Sequence, residues 1–309
     1  MDLISIIVPF LNEADCITQY CDFINEFAKG KPFQIELLFV DDGSTDNTVD
    51  VIAAYDFTHC ETVKVIELSK NHGSHAAVRA GIFHAAGDYI TYVGADLQEP
   101  DDMVSVMYGH IKRGLDAVYI EKRRTKVPAI HRFFSLTYSA LMRRWAVKNY
   151  GAGGINNIMF NRKIGDYLNN NIESNSSLML QIIDAGFQHT TIEMDYKDRI
   201  SGTSKWTFSK KIKLFIDSFV AFSFVPIRFV SIVGILMFVA GIAFGAATII
   251  NRFLNPGTPA GFATLASILA IGFGITNISL GIVAEYLWRT FDAARKRPVF
   301  IISESKVIK

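Results

Sequence analysis

The chain has almost no charge imbalance, few cysteines and none of several common catalytic signatures. Lys and Arg total 31 against 30 Asp and Glu, a formal net charge of +1. That balance argues against nucleic-acid binding through bulk electrostatics. The three cysteines, Cys16, Cys21 and Cys60, are odd in number and show no metal-ligand spacing. Buried thiols in a reducing compartment are the expectation. There is no Gly-x-Ser-x-Gly, no P-loop pattern, no internal repeat and no low-complexity segment. Gly151-Ala152-Gly153-Gly154 lacks the preceding strand and the spacing of a dinucleotide fingerprint, and reads as a loop. His72 and His75 are close, but no third ligand accompanies them, so loop and helix-start roles are expected rather than a zinc site. Leu3 to Phe10 is too short for a signal peptide and lacks a basic flank and a cleavage site. It is expected to be the first strand of a sheet.

Charge is also missing locally. Phe229 to Ile250 contains no charged residue, and neither does Ala260 to Ala284. Each run exceeds the roughly 20 residues that a helix needs to cross a bilayer. Asn251 to Pro259, rich in helix breakers, separates them, which predicts a transmembrane hairpin rather than two buried core helices. Lys205, Lys210, Lys211, Lys213 and Arg228 precede the first span, and Arg289, Arg295, Lys296 and Arg297 follow the second. The turn has only Arg252, so the positive-inside rule places both ends in the cytoplasm. From Trp206 to Ser223, three lysines interleave with Phe208, Ile212, Leu214, Phe215 and Phe219. This suits a helix at a membrane surface, the alternative being an ordinary packing helix.

Apolar strands alternating with amphipathic helices mark residues 1–205 as a doubly wound α/β domain. Strands are predicted over Leu3–Val8, Glu36–Val40, Thr62–Leu68, Tyr89–Val93 and Ala117–Ile120. Helices are predicted over Ala14–Ala28, Asn47–Ala54, Ser74–Ala86 and Pro100–Arg113. Such sheets bind ligands beyond the carboxyl ends of their strands. There the run Leu37-Leu38-Phe39-Val40 meets Asp41 and Asp42, whose carboxylates suit ribose hydroxyls or a base edge. Gly43 permits a tight turn, and Ser44 or Asp46 can cap the next helix. A capped turn with solvated acids is the plain alternative. Four more features occupy strand ends or loops: Pro9 to Glu13, Gly94 to Pro100, Arg123 with Arg124, and Arg199 to Trp206. Together they offer acids for a nucleoside and a metal, and cations for a diphosphate; the last could equally be a basic membrane flank.

In order and spacing these motifs resemble the family 2 glycosyltransferases, in particular the dolichyl-phosphate mannose synthase-like group. Closest in layout are bacterial polyisoprenyl-phosphate glycosyltransferases with two C-terminal spans. The matching residues are Pro9 to Glu13, Asp41 to Asp46, Asn71-His72-Gly73 with Ala76 and Ala77, Asp96 to Pro100, and Arg199 to Trp206. The likeness runs through the hairpin to Arg297-Pro298.

The resemblance implies a GT-A (Rossmann-like) catalytic domain over 1–205, an amphipathic juxtamembrane helix over 206–224, a hairpin over 225–290 and a cytoplasmic tail over 291–309. It also implies a nucleotide-sugar donor, a UDP-hexose by preference, a Mg2+ or Mn2+ cofactor, a polyprenyl phosphate acceptor in a bacterial inner membrane, and a homo-oligomer, tetrameric in the group. Carried over, Pro9, Leu11 and Glu13 line the nucleoside pocket, and Asp41 and Asp42 hold the base or ribose. Gly94, Ala95 and Arg123 join the nucleotide-sugar site. Asp96 and Gln98 are the metal ligands, and Asp96, Arg199 and Lys205 carry catalysis. Two departures stand out. The first acid of the usual Asp-x-Asp is Gly94, and a carboxylate common in relatives is replaced around Asn156 and Asn157. The competing readings are a non-catalytic nucleotide-sugar-binding membrane scaffold and a processive polysaccharide synthase. The latter is disfavoured by a single hairpin and by the lack of Gln-x-x-Arg-Trp.

Overall fold

The computed structural model describes residues 1–123, 140, 144, 155–173, 177–197, 225–254, 261–295 and 297–309. The expected juxtamembrane helix at 206–224, the loop Gly151–Gly154, Arg124, Arg199 to Trp206 and most of the Asn251–Pro259 turn lie outside these residues. The chain divides into two compact units, Met1–Ser218 with Pro298–Lys309, and Phe219–Arg297.

The first unit is built on one mixed sheet. Its strands in chain order are β1 (Leu3–Phe10), β2 (Gln34–Asp41), β3 (Thr62–Leu68), β4 (Tyr89–Tyr92), β5 (Ala117–Lys122), β6 (Asn157–Asn161), β7 (His189–Met194) and β8 (Ile302–Val307). Their spatial order is β7-β5-β6-β4-β1-β2-β3-β8. The centre, β4-β1-β2-β3, is parallel. Of these, β1 and β2 are buried nearly end to end, as expected of a sheet covered on both faces. Each fully buried Ile, Leu, Val or Phe there contributes about 1.5–3 kcal/mol. Helices α1 (Ile17–Ala28), α2 (Thr48–Ala54), α3 (Ser74–His84) and α4 (Met103–Ile111) follow the first four strands. Then come α5 (Arg162–Asn170) and α6 (Leu178–Asp184). One buried carboxylate knits the centre. Glu36 accepts from Lys64 Nζ at 2.7 Å, from the Ser5 hydroxyl and from the Ala86 N–H at 2.7 Å. Burial works against its charge, but these donors outweigh it and hold the carboxyl below the usual range.

Away from the parallel centre the sequence patterns were weaker. β6 pairs antiparallel to both β4 and β5, and β7 runs parallel to β5. The C-terminal residues, expected as a cytoplasmic tail, form β8 and pair antiparallel with β3. All three cysteines are buried and free, and burial pushes the thiols of Cys16 and Cys60 up to about 11 and of Cys21 up to about 12.

The second unit is two helices, α7 (Val225–Leu254) and α8 (Phe262–Arg295). At 1.5 Å per residue each exceeds the roughly 30 Å of a bilayer's hydrocarbon core. Segments long and apolar enough to cross a membrane are Arg228–Ala247, with mean hydropathy 2.4, and Ile271–Arg295, with 1.2. The second overlaps the uncharged run at 260–284. Neither segment is buried, and Phe229, Ile235, Leu236, Ile242, Phe273 and Leu280 are exposed. Core helices of a soluble domain would be covered; these are exposed, as suits candidate membrane spans.

Candidate active site

The register of the parallel strands brings three loops to one end of the sheet. Phe10 is level with Asp41, and Ile7 with Tyr92. The Asp42 N–H donates to the Phe10 carbonyl at 2.9 Å, and the Val93 N–H to Ile7 at 2.9 Å. The loops after β1, β2 and β4 therefore stand side by side. The first two are stitched together by Asn12, which has φ 51. Its N–H donates to the Ser44 hydroxyl at 2.9 Å, and its Oδ1 accepts the Thr45 N–H at 2.8 Å. The Glu13 N–H donates to Thr48 Oγ1 at 3.1 Å. Cys16 ties this loop to the third: its thiol lies 3.3 Å from Glu13 Oε2 and 3.9 Å from the Ala95 carbonyl. Pro9, Leu11 and Glu13 are partly exposed at this edge.

Asp41 and Asp42 end β2 with 4% exposure each, so neither is a freely solvated acid. Asp41 accepts the Ser44 N–H at 2.9 Å and the Ser44 hydroxyl. Asp42 accepts the His72 N–H at 2.7 Å and the Gly73 N–H at 2.9 Å. Burial pushes the Asp42 carboxyl up, and these two amides pull the other way. Both acids thus hold the loops in shape; each Oδ1 accepts two bonds, while each Oδ2 accepts one and keeps a second lone pair for a ligand's donor. Gly43 has φ +81, and a Cβ there would come 2.8 Å from the backbone of Lys70 and Asn71, so only glycine fits. Of the two proposed helix caps, Asp46 serves. Its Oδ1 accepts the Thr48 N–H at 3.1 Å and the Thr48 hydroxyl at 2.6 Å. His72 takes its place in the loop through its backbone, and His75 starts α3.

The acidic motif follows β4. Asp96 and Gln98 are partly buried, and Ala95 is buried. A Cβ at Gly94 would lie 3.0 Å from Asp96 Oδ1 and 3.3 Å from Glu99 Oε1, so both carboxyl groups converge on the space in front of that glycine. The Gly94 N–H donates to Glu99 Oε1 at 3.0 Å. Burial pushes the Glu99 carboxyl up, against the pull of that N–H. Among the described residues no group of three His, Cys, Asp or Glu is arranged to hold a metal. The Asp96 carboxylate and the Gln98 amide oxygen are hard donors of the kind that suits Mg2+ or Mn2+ retaining waters.

Asn157 is one of the two positions at which the resemblance leads one to expect a carboxylate. It is 3% exposed; its Nδ2 donates to the Tyr92 carbonyl at 2.9 Å, and its Oδ1 accepts from Tyr196 Oη at 2.5 Å. Asn156 is exposed, and its carbonyl accepts from Tyr92 Oη at 3.1 Å. Arg123 sits on β7's flank, 3.0 Å from Asp195 and 3.6 Å from Glu193. Exposed pairs of this kind contribute about 0–1 kcal/mol and exchange readily for another anion. Arg199 and Lys205 are outside the described residues. Lys197, two positions before Arg199, donates its N–H to the Gln98 carbonyl at 2.8 Å. Of the residues that shape this site, Tyr196 was absent from the sequence reading; Asn12, Ser44 and Glu99 lie inside its motifs, and Asn157 appeared there as a departure.

Acids on adjacent parallel strand ends, beside an acidic loop on a mixed α/β sheet, suit a nucleotide-sugar crevice of GT-A type. Residues 5–175, more than half the chain, match the family described as Glycosyl transferase family 2. The undecaprenyl-phosphate 4-deoxy-4-formamido-L-arabinose transferase of Proteus mirabilis is 27% identical over 99% of this chain and 94% of its own. The prophage bactoprenol glucosyl transferase homolog of Escherichia coli K12 is 27% identical over 98% and 99%. Among solved structures, mannosyltransferase PcManGT from Pyrobaculum calidifontis, in complex with GDP-Man and Mn2+, aligns over 94% of this chain and 87% of its own. Its identity is 17% and its TM-score 0.48, a likeness of outline only. On the extent of the family match, the chain belongs to glycosyl transferase family 2.

Proposed function

We propose that this glycosyltransferase moves a hexose from a nucleotide sugar, UDP-linked by preference, to a polyprenyl phosphate at the cytoplasmic face of a bacterial inner membrane. The product is a lipid-linked sugar for cell-surface glycan modification. One observation carries the reading: a chain with a family 2 acidic crevice also has two exposed apolar helices of membrane length. The two full-length relatives, named for undecaprenyl phosphate and bactoprenol acceptors, support it.

A phosphate monoester has a second pKa near 6, so the acceptor oxygen is already anionic at cytoplasmic pH. It attacks the anomeric carbon and forms a new C–O bond. The bond to the diphosphate breaks, and the leaving group departs with the electron pair. A single displacement of this kind inverts the configuration. No strong general base is required, which makes asparagine at 156 and 157 chemically tolerable. Asp41 and Asp42 would accept hydroxyl or N–H donors of the nucleoside, while Arg199 and Lys205 would neutralise the departing diphosphate. A divalent cation, held by Asp96 and Gln98, would add positive charge at the same diphosphate.

The test is turnover by the purified full chain with polyprenyl phosphate and a panel of nucleotide sugars. A lipid-extractable monosaccharide product from one UDP-hexose is expected. Long glycan chains would point to a synthase. Donor binding without any product would favour the scaffold, the reading that Gly94 supports. Topology has its own test. A cysteine engineered at Thr258 should react with an impermeant maleimide from outside intact cells, and one at Ser305 should not. The three native thiols are buried, so background labelling is low. The reverse pattern would remove both the orientation and the cytoplasmic donor.

A further inference from the structure

Glu99 makes more contacts around the acidic loop than its place at the end of the motif would suggest. Its Oε1 accepts the Gly94 N–H at 3.0 Å and lies 3.5 Å from Asn157 Nδ2. Asn157 is fixed in turn by Tyr196 and by the Tyr92 carbonyl. The other oxygen, Oε2, is buried and has no hydrogen-bond partner among the described residues, and the same is true of Tyr20 Oη on α1. Tyr20 and Glu99 line one cavity of about 20 Å³, together with Phe23, Leu97 and Met103. That is room for one water, and an unsatisfied hydroxyl and carboxyl oxygen are the partners such a water needs. The loop they flank is strained. Leu97 has φ 52, a left-handed conformation that costs a branched side chain about 1–2 kcal/mol and persists only where the surroundings impose it.

We propose that Glu99 is a positioning residue of the transfer site. Oε1 closes the loop from Gly94 to Glu99, and Oε2, through a buried water shared with Tyr20, ties that loop to α1. Asp96, whose Oδ1 faces the space above Gly94, is thereby held in place although residue 94 contributes no carboxylate. The role rests on the proposed transferase activity only where turnover is measured; the loop's order can be read without substrate.

The experiment compares Glu99→Ala, Glu99→Gln and Tyr20→Phe by amide hydrogen exchange of residues 94–99 and by kcat and KM. Glu99→Ala should raise exchange in this segment about tenfold or more, leave the rest of the sheet unchanged, and lower kcat with little change in donor KM. Glu99→Gln should restore both, because its carbonyl accepts the Gly94 N–H and its amide can donate to the water. Tyr20→Phe should raise exchange by less, and it carries the test if Glu99→Ala does not fold. Unchanged exchange in Glu99→Ala, or in Tyr20→Phe where it stands in, overturns the proposal. So does a Glu99→Gln variant that exchanges normally but has lost turnover, since that would make Glu99 a charged ligand. A wild type that shows the exchange pattern yet transfers no sugar would remove the transferase reading and leave the brace standing.

Discussion

Asp96→Ala should lower sugar transfer at least about a hundredfold, the usual loss when a group that stabilises developing charge is removed. Asp96 is the one acid of the motif that stays in place, and its carboxylate faces the cradle above Gly94. Transfer should also cease in excess chelator, since Arg199 and Lys205 alone would neutralise a departing diphosphate incompletely. Gly94→Asp is the informative partner. Its Cβ would arrive 3.0 Å from Asp96 and 3.3 Å from Glu99, close but against side-chain ends that can shift. Three carboxyl groups would then crowd one space. The variant should bind a divalent cation more tightly than wild type and unfold at lower temperature without it. Activity titrated with Mn2+ and Mg2+, and thermal unfolding with and without cation, measure both effects. Full activity in chelator, or an active Asp96→Ala, would refute the metal assignment.

Arg199→Ala and Lys205→Ala should each cost about 1.5–3 kcal/mol of charged hydrogen bonding, which is roughly ten- to hundredfold in kcat/KM. The support is twofold. The spacing Arg199-x-x-Gly202-x-x-Lys205 places a flexible residue between two cations. The chain also enters this segment from Lys197, whose N–H is bonded to the carbonyl of Gln98. Membrane fractionation of the variants separates the two readings of the segment. Normal insertion with lost turnover supports diphosphate binding; near wild-type turnover in both variants would reduce the segment to a basic flank.

The parallel centre of the sheet and its strand-end acids were legible because their signals are local. β1 to β5 are apolar runs bounded by turn residues, and the predicted ends differ from the observed ones by two residues at most. The last two strands gave no such signal. β7, His-Thr-Thr-Ile-Glu-Met, is partly exposed along its length, and β8, Ile-Ser-Glu-Ser-Lys-Val, is almost wholly exposed. Each is a strand because a neighbouring edge offers hydrogen bonds, not because its own side chains demand burial. The site divides in the same way. Asp41, Asp42 and Asp96 announce themselves by standing where apolar runs stop. Asn12, Glu99 and Asn157 matter through partners that the linear pattern does not reveal.

By itself, then, the sequence determined the class of domain, the position of its acids and the two helices of membrane length, since hydrophobic period, run length and breaker residues act over a few neighbours. Tertiary structure alone decided what each acid does. Asp42 meets Gly73 from 31 residues away, and Asn157 reaches Glu99 across 58. Such contacts exist only once the sheet has set its register, and a carboxylate's role depends on which donors the fold leaves facing it.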